Sequence, residues 1–251
     1  MALEAIEALQ SAEIALGYKT YLDLIPDLLR DKIVIASGMR KEVERCWSAI
    51  EYALSGRNVV LVSSGDAGIY GMAGLVLDIC KNKQIKVIDW NCEDPGEPPG
   101  LFLRIIPGIP ALNAAASLLG APIMHDFAAV SLSDHLTSWQ VIEKRLWAVS
   151  EADFVLAIYN PRSRSRPDLL EKARQLILRH RPPETPAAIV RRAMRDGQWK
   201  CLTTIGKLPV DEVDMQSVVI VGNRRTYIWQ GWMVTPRGYL DKYSLSGPTA
   251  E

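Results

Sequence analysis

Four cysteines and three histidines in 251 residues leave little material for metal or thiol chemistry. Cys46, Cys80, Cys92 and Cys201 form no C-x-x-C pair and have no histidine at ligand spacing. That argues against a zinc site or a disulfide framework and for free cytosolic thiols. An excess of charge of one sign is missing too. The 29 Lys and Arg balance 29 Asp and Glu, so no general attraction to nucleic acid or a membrane surface is expected, and any basic patch must be local. No apolar run approaches a membrane span, and Glu4 and Glu7 in the first turns are not expected of a signal peptide. No Ser-His-Asp or Cys-His constellation stands out.

What is present is a globular composition, 48% hydrophobic and 23% charged. The length suits one large domain or two of roughly 120 residues each. The pattern is alternating α/β. Residues 2–12 read as a helix, Ile14 to Leu16 as a strand, and a helical segment from Tyr18 is interrupted by Pro26. Lys32 to Ala36 is a strand, and residues 40–55 carry Val43, Cys46, Trp47, Ile50 and Leu54 at helical spacing. Asn58 to Val62 is a buried-type strand, followed by a helix after Gly71. Ile85 to Asp89 is a strand, Trp90 to Gly100 a Pro/Gly loop, and Leu101 to Ile106 a strand. A domain boundary is expected near Pro122, giving domains 1–122 and 123–251.

The second half repeats the alternation. Strands are expected at Phe127 to Leu132, Ala152 to Tyr159 and Ala187 to Arg191, with helices at Trp139 to Val149 and Leu169 to His180. Trp199 to Ile205 and Ser217 to Val221 are β without intervening helices, which predicts antiparallel edge strands and an α+β character. Opening on a helix is unusual for such a chain, whose first element is normally a central strand.

Two turns invite a ligand. Ser63-Ser64-Gly65-Asp66-Ala67-Gly68 follows a strand and precedes a helix, the arrangement by which an open α/β sheet offers backbone N–H groups beyond its carboxyl ends. The same residues also fit an ordinary turn with Asp66 as a helix cap. Pro107 to Asn113 again runs from a strand into a helix of small residues, which fits either a ligand's approach or tight helix–sheet packing.

Taken together, SSGDAGIYGMAG, RIIPGIPALNAAASLLGAP, HDFAAVSLSDHLTSW, FVLAIYNPRSRSRP, LTTIGKL, VVIVGNRRTY and MVTPRGY resemble the precorrin-3B C17-methyltransferases of cobalamin biosynthesis, within the tetrapyrrole methylases. The resemblance runs over essentially the whole chain. It implies a two-domain α/β fold that holds S-adenosylmethionine between its domains, and C17-methylation of a corrin precursor with ring contraction, precorrin-3B to precorrin-4. The cobalt-containing counterpart, cobalt-factor III, stays open, as do another methylase of this fold and an inert or catalytically impaired tetrapyrrole-binding relative. Family members open with a strand and a Gly-Pro-Gly loop before a helix resembling Leu3-Glu4-Ala5-Ile6. Met1 stands where that loop should be ending, so strand and loop are expected to be missing from this chain.

By resemblance, Gly65, Asp66, Ala67, Ile69 and Tyr70 line the methionine side of the cofactor, Pro110 and Ala111 form another wall, and Tyr159, Asn160 and Ala193 approach the adenosine. A polycarboxylate ring calls for dispersed guanidinium and ammonium groups, for which Arg162, Arg164, Arg166 and Lys19 are the candidates; a solvated loop is the alternative for the arginines. Asp134 and His135 are the candidate acid/base pair for ring contraction, although a histidine after a strand is often structural. His125 with Asp126 is a weaker candidate, better read as a domain-junction cap. The resemblance further implies a cytoplasmic homodimer with a small-molecule substrate and no nucleic-acid or membrane partner.

Overall fold

In the computed structural model, which describes residues 1–93, 100–163 and 165–244, two compact units form, Met1–Pro110 and Ala111–Glu251. Part of the expected Pro/Gly loop and Arg164 lie outside the described residues.

The first unit runs α1 (Leu3–Ser11), β1 (Ile14–Tyr18), α2 (Lys19–Leu22), β2 (Ile33–Ser37), α3 (Glu42–Leu54), β3 (Val59–Val62), α4 (Ala73–Asn82), β4 (Val87–Asp89) and β5 (Leu101–Leu103). Its main sheet is parallel, in the order β2-β1-β3. The order reverses direction at β1, which places a topological switch point between β1 and β3. Ile14, Ala15 and Leu16 are buried on both faces, which is why β1 reads as a continuous apolar run. On one face Cys46 and Ile50 of α3 pack with Val76 and Cys80 of α4; on the other, Leu9, Ala15, Leu22 and Leu29 form a second cluster. Burial pushes the Cys46 thiol up to about 11, as befits a packed and unreactive sulfur.

β4 and β5 pair with each other in parallel and, among the described residues, join no other strand. Leu103 of β5 and Leu61 of β3 both pack onto the α3–α4 cluster, yet their strands are not hydrogen-bonded to one another. Among the described residues the outer edge of β3 is therefore open, and the all-apolar Val59–Val62 is only half-buried. The strand expected over Leu101 to Ile106 stops at Leu103, where its partner among the described residues, the three-residue β4, also ends.

The second unit comprises α5 (Ala111–Leu119), β6 (Gly120–Ala121), β7 (Phe127–Ser131), α6 (Trp139–Glu151), β8 (Val155–Tyr159), α7 (Leu169–Ile177), β9 (Pro186–Arg191), β10 (Trp199–Thr204), β11 (Ser217–Val221), β12 (Tyr227–Trp229), β13 (Trp232–Val234) and α8 (Tyr239–Lys242). Five strands form a mixed sheet in the order β10-β9-β11-β8-β7, with β7 and β8 parallel and the later pairs antiparallel. α6 and α7 cover one face through Ile142, Leu146, Leu170 and Ile177; α5 covers the other through Ala115, Ala116 and Leu119. That packing, with the pairing of β6 to β13, brings α5 and β6 into the second unit, so the division falls at Pro110 rather than at the expected Pro122. The β12–β13 hairpin was not apparent in the sequence. Gln230 and Gly231, both left-handed at φ 48° and 81°, make its two-residue turn.

Candidate functional site

In the first unit the two informative turns meet. β3 delivers Ser63–Gly68 at the carboxyl end of the sheet, with Gly65 left-handed at φ 71°. Asp66 Oδ1 accepts the Gly68 N–H at 2.8 Å, and Oδ2 accepts the Gly108 N–H at 2.9 Å. Those two hydrogen bonds, Gly108 first, hold the carboxyl below its ordinary range against a smaller opposing effect of burial. A Cβ on Gly108 would sit 1.8 Å from the Gly65 carbonyl oxygen, so only glycine allows the two backbones to approach this closely. Asp66 thus braces one turn against the other.

Ala67, Ile69 and Tyr70 continue the first turn. Ile69 and Tyr70 are exposed, and Tyr70 is left-handed at φ 54°, an uncommon state for a bulky residue. Pro110 ends this unit and Ala111 begins α5 of the next. Lys19 is exposed and paired with Asp23 at 2.9 Å.

In the second unit the carboxyl ends of β7 and β8 are tied together. The Tyr159 hydroxyl accepts the Leu112 N–H at 2.9 Å, satisfying an otherwise unpaired donor in the first turn of α5. Asn160, left-handed at φ 50°, donates from Nδ2 to Ser131 Oγ at 2.9 Å, and the Leu132 N–H donates to the Tyr159 carbonyl. Ala193 is partly buried against the α5 cluster, between Arg192 and Met194, both left-handed.

Two of the candidate arginines are held by the protein itself. Arg162 donates to the carbonyls of Val210 and Asp211 at 3.2 and 2.9 Å and pairs with the Asp211 carboxylate at 3.0 Å. Arg166 donates to Ser133 Oγ at 2.8 Å and lies 3.5 Å from the Asp134 carboxylate. Arg166 therefore links the SLSDH turn to the arginine turn. Asp134 and His135 are both exposed at the end of that turn. His125 approaches Asp126 at 3.6 Å. Among the described residues no His, Cys, Asp and Glu cluster could hold a metal ion.

Sequence reasoning passed over Arg45. Its signal was a cation on the apolar face of α3, beside Cys46, Ala49 and Ile50, and it is only 6% exposed.

A family model described as Tetrapyrrole (Corrin/Porphyrin) Methylases matches residues 1–209. A probable cobalt-factor III C(17)-methyltransferase of Salmonella typhimurium is 52% identical over 239 residues, covering 95% of this chain and 93% of that protein. A precorrin-3B C(17)-methyltransferase of a Sinorhizobium species is 36% identical over 244 residues, covering 95% and 91%. Of some longer relatives the chain covers less, 43% and 51% in two cases. Among solved structures, the methyltransferase CobJ superposes with a TM-score of 0.85 at 33% identity, over 94% of this chain and 93% of that one.

Proposed function

Because the chain belongs to the tetrapyrrole methylase family, we propose that it is an S-adenosylmethionine-dependent enzyme that methylates a corrin precursor at C17, with contraction of the macrocycle, in cobalamin biosynthesis. The observation that carries this reading is Arg166, whose bonds to Ser133 and Asp134 tie together the two segments, SLSDHLT and YNPRSRSRP, that most resemble the C17 enzymes. Cobalt-factor III is favoured as substrate by the 52% relative, with precorrin-3B as the second reading at 36%.

The residues suit the cofactor. The 63–68 turn is small and carries no cation that would repel a sulfonium, and Ile69 and Tyr70 offer exposed apolar surface beside it. When bound, S-adenosylmethionine supplies an activated methyl group, so the protein's work is to align and to exclude water. In this reading Gly65, Asp66, Ala67, Ile69, Tyr70, Pro110 and Ala111 shape the methionine end, and Tyr159, Asn160 and Ala193 the adenosine end. Asp66 and Tyr159 act by holding their turns in place. Lys19, Arg162, Arg164 and Arg166 meet substrate carboxylates. Asp134 and His135 handle the protons of ring contraction.

We also read the protein as a cytoplasmic homodimer. In favour stands β12, whose three residues, Tyr227, Ile228 and Trp229, are all exposed at the edge of a sheet. Incubating the purified protein with cobalt-factor III or precorrin-3B and S-adenosylmethionine, then analysing the product by mass spectrometry and NMR, tests the activity. Binding of S-adenosylhomocysteine without methyl transfer to either substrate overturns the C17 assignment.

A further inference from the structure

Arg45 lies in the first turn of α3, near the carboxyl ends of β1 and β2. Its Nε donates to Ser37 Oγ at 2.6 Å, Nη2 donates to the Gly38 carbonyl at 2.9 Å, and the guanidinium stands 6.0 Å from the centre of the Tyr18 ring. Nη1 meets only the Met72 sulfur, at 3.9 Å, a weak acceptor. Every partner is neutral. Among the described residues no carboxylate lies within ion-pair distance of this guanidinium, and the nearby acids are used elsewhere. Glu42 accepts the Arg40 N–H, and Glu44 pairs with Lys41.

Such a placement is unfavourable twice over. A buried charge without a counterion carries an uncompensated desolvation cost. The amino end of a helix is moreover the positive end of its dipole, where cations are disfavoured and anions are welcome. The guanidinium also sits at the carboxyl end of the parallel sheet, the end at which open α/β sheets bind their ligands. Space borders it. A Cβ added to Gly38, whose carbonyl Arg45 grips, would meet nothing within 4 Å.

We propose that Arg45 is a ligand-binding residue whose missing counterion is a carboxylate of the bound ligand. The geometry of a guanidinium edge suits bidentate capture of a carboxylate, which a lysine would not reproduce. Two sources carry that group: the methionine end of the cofactor and the acetate or propionate arms of the tetrapyrrole. The tetrapyrrole source rests on the function proposed above; the carboxylate site does not.

The test compares the wild type with Arg45→Met and Arg45→Lys in three measurements. S-adenosylhomocysteine is titrated calorimetrically, cobalt-factor III is titrated by quenching of tryptophan fluorescence, and melting temperature is compared in sodium propionate and in sodium chloride of equal ionic strength. Arg45→Met should lose about tenfold in affinity for one of the two ligands and change less than about threefold for the other, the scale of one charge-assisted contact. The ligand that loses affinity is the carboxylate's source. The wild type should also melt higher in propionate than in chloride, and the variant should not. Equal losses for both ligands, or no loss for either combined with an unchanged propionate response, overturn the proposal. Should Arg45→Met fail to fold, Arg45→Lys, which keeps the buried charge but not the fork, decides by the same criteria. A wild type that responds to propionate through Arg45 but ignores cobalt-factor III would refute the substrate and leave the carboxylate site standing.

Discussion

Asp66 Oδ2 accepts the backbone N–H of Gly108 across 42 residues of sequence, so one carboxylate fixes the spacing of the two turns that follow β3 and β5. Asp66→Ala removes this brace and the bond to Gly68 together. Cofactor affinity should fall by about 1–2 kcal/mol, discounted for the exposure of the carboxylate, or roughly tenfold in Kd. Calorimetric titration with S-adenosylhomocysteine measures it, and an unchanged Kd in a folded variant would remove Asp66 from the site.

The pH dependence follows from the same bonds. The folded-state pKa of Asp66 lies below its ordinary 3.8, so the carboxylate's contribution is fully present above that value and is lost as pH falls through the lower folded value. Melting temperatures of wild type and Asp66→Asn should therefore differ by a constant amount from neutrality down to about pH 4 and converge in more acid solution. A gap that closes already between pH 7 and 5 would assign the effect to another group.

Gly108→Ala tests the close approach directly. The added methyl would collide with the Gly65 carbonyl, 1.8 Å away, so the turns must separate. The cost should be at least about 1–3 kcal/mol of stability, as for other overpacking, with cofactor affinity falling in parallel. Chemical denaturation and titration on the same preparation give both numbers, and a neutral outcome would mean that the turns are not rigidly spaced.

Arg166→Gln should separate catalysis from cofactor binding. It frees Ser133 and Asp134, so kcat should drop about tenfold or more while the Kd of S-adenosylhomocysteine stays within about threefold. Arg162→Gln, whose partner Asp211 is largely solvent-exposed, should cost less than about 1 kcal/mol of stability. Steady-state kinetics and melts of the two variants side by side make the comparison.

The alternation of strands and helices was legible because β-branched runs such as Val59–Val62 and spaced apolar residues such as Cys46 and Ile50 are local signals. Strand ends were less so, since β5 ends at Leu103 together with the three-residue β4 it pairs with. The Gly65–Gly68 turn announced itself, but the partner of Asp66 is a tertiary fact that no local pattern contains. The same holds for Arg162 and Arg166, which looked available in the sequence and are occupied by residues far along the chain. Arg45 went unread because a single cation within an apolar helical stripe looks like a solvated face until burial is known. α5 was assigned to the first domain because Pro122 is a stronger local signal than the burial of Ala115 and Leu119 against β9 and β11.

Among the described residues β3 and β5 each leave one margin without a partner strand, which also bears on how this chain behaves in company. An edge of Val, Leu and Phe whose backbone pairs with no strand among the described residues is a template for a strand from any chain that passes. Neither margin carries the lysine, proline or bulge with which proteins commonly blunt such edges, since Val59–Val62 and Leu101–Leu103 are wholly apolar. Recovery of soluble material should then depend on concentration during folding, and short apolar peptides supplied in excess should act as chaperones by occupying the margins before a second molecule does.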